Sequence, residues 1–222
     1  MAHKRELQAP DEDITSLLSG IGCSLGAESY KNADIEYTLF LASEESLKQL
    51  DFRILGLIVQ WVDIHDSYLN HPRLLRFIKT AASITQRFWR AIAQWKQENR
   101  KWSKFLLLEA QSSHFELLPV GTEFQIQRKG EDPRFENTDL RIPNGVLRAR
   151  EGDILSQKQL IRFHRTYANR VRFGVCLRAD LWSLLEEDSS LTPTQLAKKV
   201  GCAFASAWEV KQDFMLFFGD RS

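Results

Sequence analysis

The chain is poor in several features that would announce a function outright. Cysteine occurs only three times in 222 residues, as Cys23, Cys176 and Cys202. Three is odd, the spacings are wide and no His stands at zinc-ligand distance from any of them, so neither a disulfide framework nor a structural zinc site is expected. No apolar run approaches the roughly 20 residues that cross a bilayer, and the opening MAHKRELQAPDED has no apolar stretch of signal-peptide length. A soluble, reduced, cytoplasmic chain with no membrane partner is the expectation. An excess of one charge is missing too. Thirty Lys and Arg against 29 Asp and Glu leave +1, so any nucleic-acid binding must come from uneven placement of charge. Gly20, Gly22 and Gly26 match neither the dinucleotide fingerprint nor the phosphate loop, and no strand precedes them; they read as a connecting turn.

What the chain does have is helical periodicity. A short helix is expected over 14–18. Asp34 can cap a helix carrying Ile35, Thr38, Leu39 and Ala42, and Asp51 one carrying Phe52, Leu55, Ile58, Val59 and Val62. The second is the more apolar and is expected at the centre of the N-terminal core. After Asn70, His71 and Pro72 comes a stripe of Leu74, Leu75 and Ile78. A longer helix begins near Ser83 with Phe88, Ile92 and Trp95, and its later part, 96–104, is polar apart from Trp102. Trp61, Trp89, Trp95 and Trp102 are interleaved with Arg87, Arg90, Lys96, Arg100, Lys101 and Lys104. That mixture can serve nucleic-acid stacking, but Trp at helical spacing with cations opposite reads better as core and solvated surface.

Residues 115–150 change character. Phe124, Ile126 and Arg128 alternate after a turn at Val120, Gly121 and Thr122, which predicts a small β-hairpin able to stand in for a wing. Further on, Ser156 with Gln159 predicts a capped helix over 157–169 carrying Leu160, Phe163 and Tyr167, and Leu181, Leu184 and Leu185 mark another over 177–187.

The stretch 191–218, LTPTQLAKKVGCAFASAWEVKQDFMLFF, carries the strongest local signals. Thr192 caps, Pro193 takes the first helical position, and Gln195 can bond back to the cap, giving a helix over 193–200. Gly201 supplies the turn and a second helix runs over about 203–216. Leu196, Val200, Cys202, Ala207 and Val210 point inward, and the small Ala197 permits close approach. With its alanine in the first helix and glycine at the turn, this stretch resembles the helix-turn-helix and winged-helix regulators, over roughly residues 177–218. The resemblance implies a DNA-binding unit whose second helix enters the major groove.

Charge is distributed unevenly around that motif. Residues 141–178 hold nine Lys or Arg against two acids, whereas from Asp180 onward seven acids face four bases. A division of labour follows: Arg148, Arg150, Arg162, Arg165, Arg170 and Arg172 would hold phosphates, while Thr194, Ala203, Phe204, Ser206, Trp208, Glu209, Lys211 and Gln212 would face the groove. His164 adds a partly titratable group to the basic segment. An outer face with Phe204 and Trp208 is unusual for a groove reader, which offers Arg, Asn, Gln, Ser or Thr, and it equally suits a protein partner.

No constellation supports an enzyme. Asp63, His65 and Asp66 invite a metal or acid–base reading, yet neighbours on one helix point apart and a surface helix end accounts for them. Asp34 and Glu36 read as capping rather than metal chemistry. His164 with Arg165 is too little for phosphodiester chemistry, and Cys176 and Cys202 lack a base and fall at packing positions. The expectation is therefore a mainly α protein with a helical N-terminal domain (1–112), a small β-hairpin segment (113–150) and a C-terminal helix-turn-helix domain (151–222). It would be a non-enzymatic, double-stranded-DNA-binding transcriptional regulator without metal or cofactor. The alternatives are an antitoxin-like or adaptor subunit using Phe204 and Trp208 toward a protein partner or homodimer, and an RNA-binding accessory protein.

Overall fold

The computed structural model describes residues 13–109, 114–148 and 150–219. The protein is mainly helical. It divides into two compact units, Met1–Leu155 and Ser156–Ser222.

The first unit is built on α1 (Ile14–Gly20), α2 (Ile35–Gln49), α3 (Phe52–His65), α4 (His71–Ile78) and α5 (Ser83–Trp95). The caps stand where the sequence puts them. The carboxylate of Asp34 accepts from the Tyr37 N–H, that of Asp51 from Arg53 and Ile54, and the Asn70 side chain from Arg73. In α3 apolar residues are buried nearly all round, with Leu55, Ile58, Val59 and Val62 fully enclosed, as befits a central helix. Gly56 allows one close approach: a Cβ there would stand 3.1 Å from the backbone of Arg148.

The helix from Ser83 ends at Trp95 instead of running on to residue 104. The chain turns and re-enters as a 3-10 helix, Arg100–Leu107, with the Asn99 side chain accepting from the Lys101 N–H. The reason is tertiary. A straight continuation would carry Trp102 roughly 10 Å beyond Trp95, whereas the turn stacks its ring on Trp89 with centroids 6.3 Å apart.

The expected hairpin is absent. Thr122–Lys129 is a helix, α6, entered through Gly121 and left through Gly130, both at positive φ. The alternation of Phe124 and Ile126 has no buried face to serve, since Phe124 is 62% exposed. Local i,i+4 pairs prevail instead: Gln127 donates to Glu123 at 3.4 Å, and the Arg128 guanidinium lies over the Phe124 ring. The strands among the described residues are two short pieces, β1 (Phe115–Glu116) and β2 (Leu140–Arg141), which pair in parallel and belong to the first unit.

The second unit comprises α7 (Gln157–Phe163), α8 (Arg165–Phe173), α9 (Leu177–Glu187), α10 (Pro193–Val200) and α11 (Phe204–Phe218). The single helix expected over 157–169 is broken at His164. This residue leaves helical geometry at φ −120°, and its Nδ1 accepts the Tyr167 N–H at 3.2 Å, capping α8. Reciprocal capping boxes open α7 at Ser156 and α10 at Thr192. Gly201, at φ 74°, turns the chain from α10 toward α11. Leu181, Trp182, Leu185, Leu196, Val200, Ala207, Val210 and Phe214 form the shared core of α9, α10 and α11. The described part of this unit contains no strand, so it supplies no wing of its own.

Candidate functional site

The groove-facing residues expected on α10 and α11 do not share one face: along α11 Phe204, Trp208 and Gln212 lie on one side, whereas Ser206 points away from it. Thr194, Ala203, Phe204, Trp208, Glu209 and Gln212 are exposed, and Ser206 and Lys211 are half-buried. Five of these eight are polar or charged, but the largest side chains among them, Phe204 and Trp208, are apolar. Phe204 is 55% exposed, Trp208, one turn on, 50%, and Met215, two further turns on, 46%. At about 100° per residue these three fall on one line beside the buried line of Ala207, Val210 and Phe214. Leu216 and Phe217 also stand largely in solvent. The run Met215, Leu216, Phe217, Phe218 carried the signal for this in advance, because four successive apolar residues of a helix cannot share one buried face.

The charges around that face are mostly engaged within the unit. Lys211 is the one base on α11 against the acids Glu209 and Asp213, and its Nζ donates to the Leu191 carbonyl at 2.6 Å. Asp213 pairs with Arg178 at 2.7 Å.

The phosphate-holding set is not assembled as expected. Arg148 and Arg150 belong to the first unit. Arg170 is only 2% exposed and its Nε donates to the buried Asp180 at 3.0 Å, so it is a core ion pair rather than a phosphate contact. Arg165 and Arg172 both lean on Glu186 at 3.9 Å. Arg162 and Lys158 remain on the exposed side of α7 with no acid paired to them among the described residues. His164, read as a titratable member of the basic segment, is buried as a cap. Arg165, Arg170 and Arg172 share a cause: the acid that captures each sits on a different helix, where sequence spacing does not reveal it.

The first unit holds polar chemistry that the sequence reading passed over as a helix end. Asp66 accepts from His71 Nε2 at 2.8 Å, Asn99 Nδ2 at 2.7 Å and Trp102 Nε1 at 2.9 Å. Burial alone would raise its pKa, but these hydrogen bonds outweigh burial and hold the carboxyl below its ordinary range. His65 is fully buried with its Nε2 donating to the Leu155 carbonyl at 3.0 Å, and burial pushes its pKa down to about 4. Glu36, 1% exposed, accepts from the Asn70 N–H at 2.9 Å, while Asp34 caps α2 and pairs with Arg73. Asp63 is exposed and paired with Lys96. Each group has a structural partner, and no cluster of three or more His, Cys, Asp or Glu suited to a metal occurs among the described residues.

Burial pushes the Cys23 thiol up to about 12, with Asp153 adding to the shift. Cys176 is exposed rather than packed, and Cys202 is partly buried against the α9–α11 core. No helix among the described residues is long and apolar enough to cross a membrane. No family model, curated protein or solved structure matches the chain.

Proposed function

We propose that the protein is a binding protein without catalytic chemistry, and that its second unit is a helix-turn-helix module used for docking on protein. The outer face of α11 is the docking surface, and a second copy of the chain is the occupant. The observation that carries this reading is the exposed line of Phe204, Trp208 and Met215 on a helix whose single base is turned onto a carbonyl. Contiguous exposed apolar surface of this kind marks interaction sites. At roughly 150–250 Å² per aromatic side chain, Phe204 and Trp208, 55% and 50% exposed, leave roughly 200 Å² uncovered on that line. The near-balance of charge on the face suits self-pairing, which opposes like to like.

A second reading, DNA binding in transcriptional control, is favoured by the order of α9, α10, the Gly201 turn and α11, and by Arg162 and Lys158, which have no acid paired to them among the described residues. One experiment separates the two. Sedimentation of the full chain should show a reversible dimer at micromolar concentration, and Phe204→Ser with Trp208→Ser should return it to monomer with unchanged circular dichroism. A chain that stays monomeric at the highest attainable concentration sinks the docking reading. In the same buffers, anisotropy of a labelled duplex should show no saturable binding; steeply salt-dependent binding lost in Arg162→Ala would establish the DNA reading instead.

A further inference from the structure

The docking reading leaves unused a buried polar clasp in the first unit, at His71, where α4 begins. The His71 ring is 2% exposed. Both of its nitrogens face oxygens: Nδ1 stands 3.0 Å from the Leu69 carbonyl and Nε2 2.8 Å from Asp66 Oδ1. Turning the ring over would set carbon against both oxygens, so the two contacts fix its orientation.

Neither oxygen can donate. A carbonyl only accepts, and the Asp66 carboxyl, held below its ordinary range by the donors around it, is ionised. A neutral imidazole offers one N–H and one lone pair, and here the lone pair would meet an oxygen in a site closed to water. An imidazolium, with two N–H groups, satisfies both. Trp102 and Phe105 close on the ring, with centroids at 4.7 and 6.4 Å.

Among the described residues Asp66 is the one charged group at ion-pair distance from the ring. Charges on the neighbouring elements are engaged elsewhere. On α2, Glu36 accepts the Asn70 N–H and, with Asp34, faces Arg73 of α4; just past α5, Lys96 is paired with Asp63. The dipole of α4 opposes a cation at its first position. A full negative charge at 2.8 Å outweighs that partial one.

We propose that His71 is a buried imidazolium whose second proton locks the turn Asp66–Tyr68 to the start of α4, and that loss of this proton as pH rises opens the lock. On proton loss Nε2 keeps the N–H that faces the charged acceptor, and Nδ1 gives up the bond to Leu69. A cation that gains its partner on folding stabilises fully below the ordinary imidazole value near 6.5, and the contribution is lost as pH rises above it. This direction is opposite to that of His65, whose effect lies on the acid side.

Long-range proton–nitrogen correlation spectra of the full chain test this at about pH 7.5, where an ordinary imidazole is about nine-tenths neutral. Both His71 nitrogens should carry the shift of a protonated ring nitrogen, and a mainly neutral His71 ring at that pH overturns the proposal. Asp66→Asn should return the ring to the neutral form at the same pH. Urea midpoints supply the second readout, taken between about pH 6.5 and 8, short of the ordinary thiol value of about 8.5 that Cys23 regains on unfolding. They should fall in the wild type and stay level in His71→Gln. An equal fall in both overturns the lock. If His71→Gln does not fold, the wild-type spectrum decides alone.

Discussion

The two units differ in how they treat most of their tryptophans. In the first, three of four, Trp61, Trp89 and Trp102, are fully enclosed, each with an acceptor for its indole N–H: the Ile21 carbonyl, Ser43 Oγ and Asp66 Oδ1. In the second, Trp182 is buried with its N–H unpartnered among the described residues, and Trp208 stands half in solvent. A buried indole without an acceptor and an exposed one beside it describe a unit that is internally less complete. The difference locates specificity of folding in the first unit and available surface in the second.

That contrast can be broken most severely at Asp66. Asp66→Ala strands three donors at once and should destabilise the first unit by about 3–5 kcal/mol, as removal of one member of a buried charged network does. Urea unfolding followed by tryptophan fluorescence measures it, and a loss under 1 kcal/mol would show that the network is not holding the fold. Acidification is next in size. His65 has a pKa of about 4 in the folded chain, below its ordinary value near 6.5, so the unfolded chain takes up a proton first. Stability therefore falls as pH drops from about 6.5 to about 4, by about 3 kcal/mol in all. Urea midpoints across that window should show the fall in the wild type, and it should be missing in His65→Gln, whose amide can still donate to Leu155.

The smallest effect sharpens the contrast between the tryptophans themselves. Trp89→Phe removes a satisfied hydrogen bond along with ring volume, whereas Trp182→Phe removes an N–H that has no acceptor to lose. The second change should cost about 1 kcal/mol less than the first. Equal costs in paired denaturation curves would mean that the Trp182 N–H finds a partner after all.

The caps were readable in advance because capping is local. Asp34, Asp51, Asn70, Ser156 and Thr192 each act within three residues of their own position. The breaks were not, because distant groups impose them: α5 stops so that Asn99 and Trp102 can reach Asp66, and α7 stops where a buried His caps its neighbour. The exposed Phe204 and Trp208 were visible as misfits on a groove-reading helix. The capture of Arg170 by Asp180 was hidden, since the two lie ten positions apart on different helices.

The pairing of arginines with acids in the second unit also has a kinetic consequence. Arg165 and Arg172 share Glu186, Arg170 is matched by Asp180 and Arg178 by Asp213. Opposite charges that close together project little field beyond the Debye length of about 8 Å at physiological salt. Under the docking proposal these closed pairs would add little steering of their own to a second copy approaching the α11 face, and encounters at about 10^5–10^6 per molar per second should change little with ionic strength. Residence time, governed by how completely water leaves Phe204 and Trp208, would then set the strength of the proposed complex.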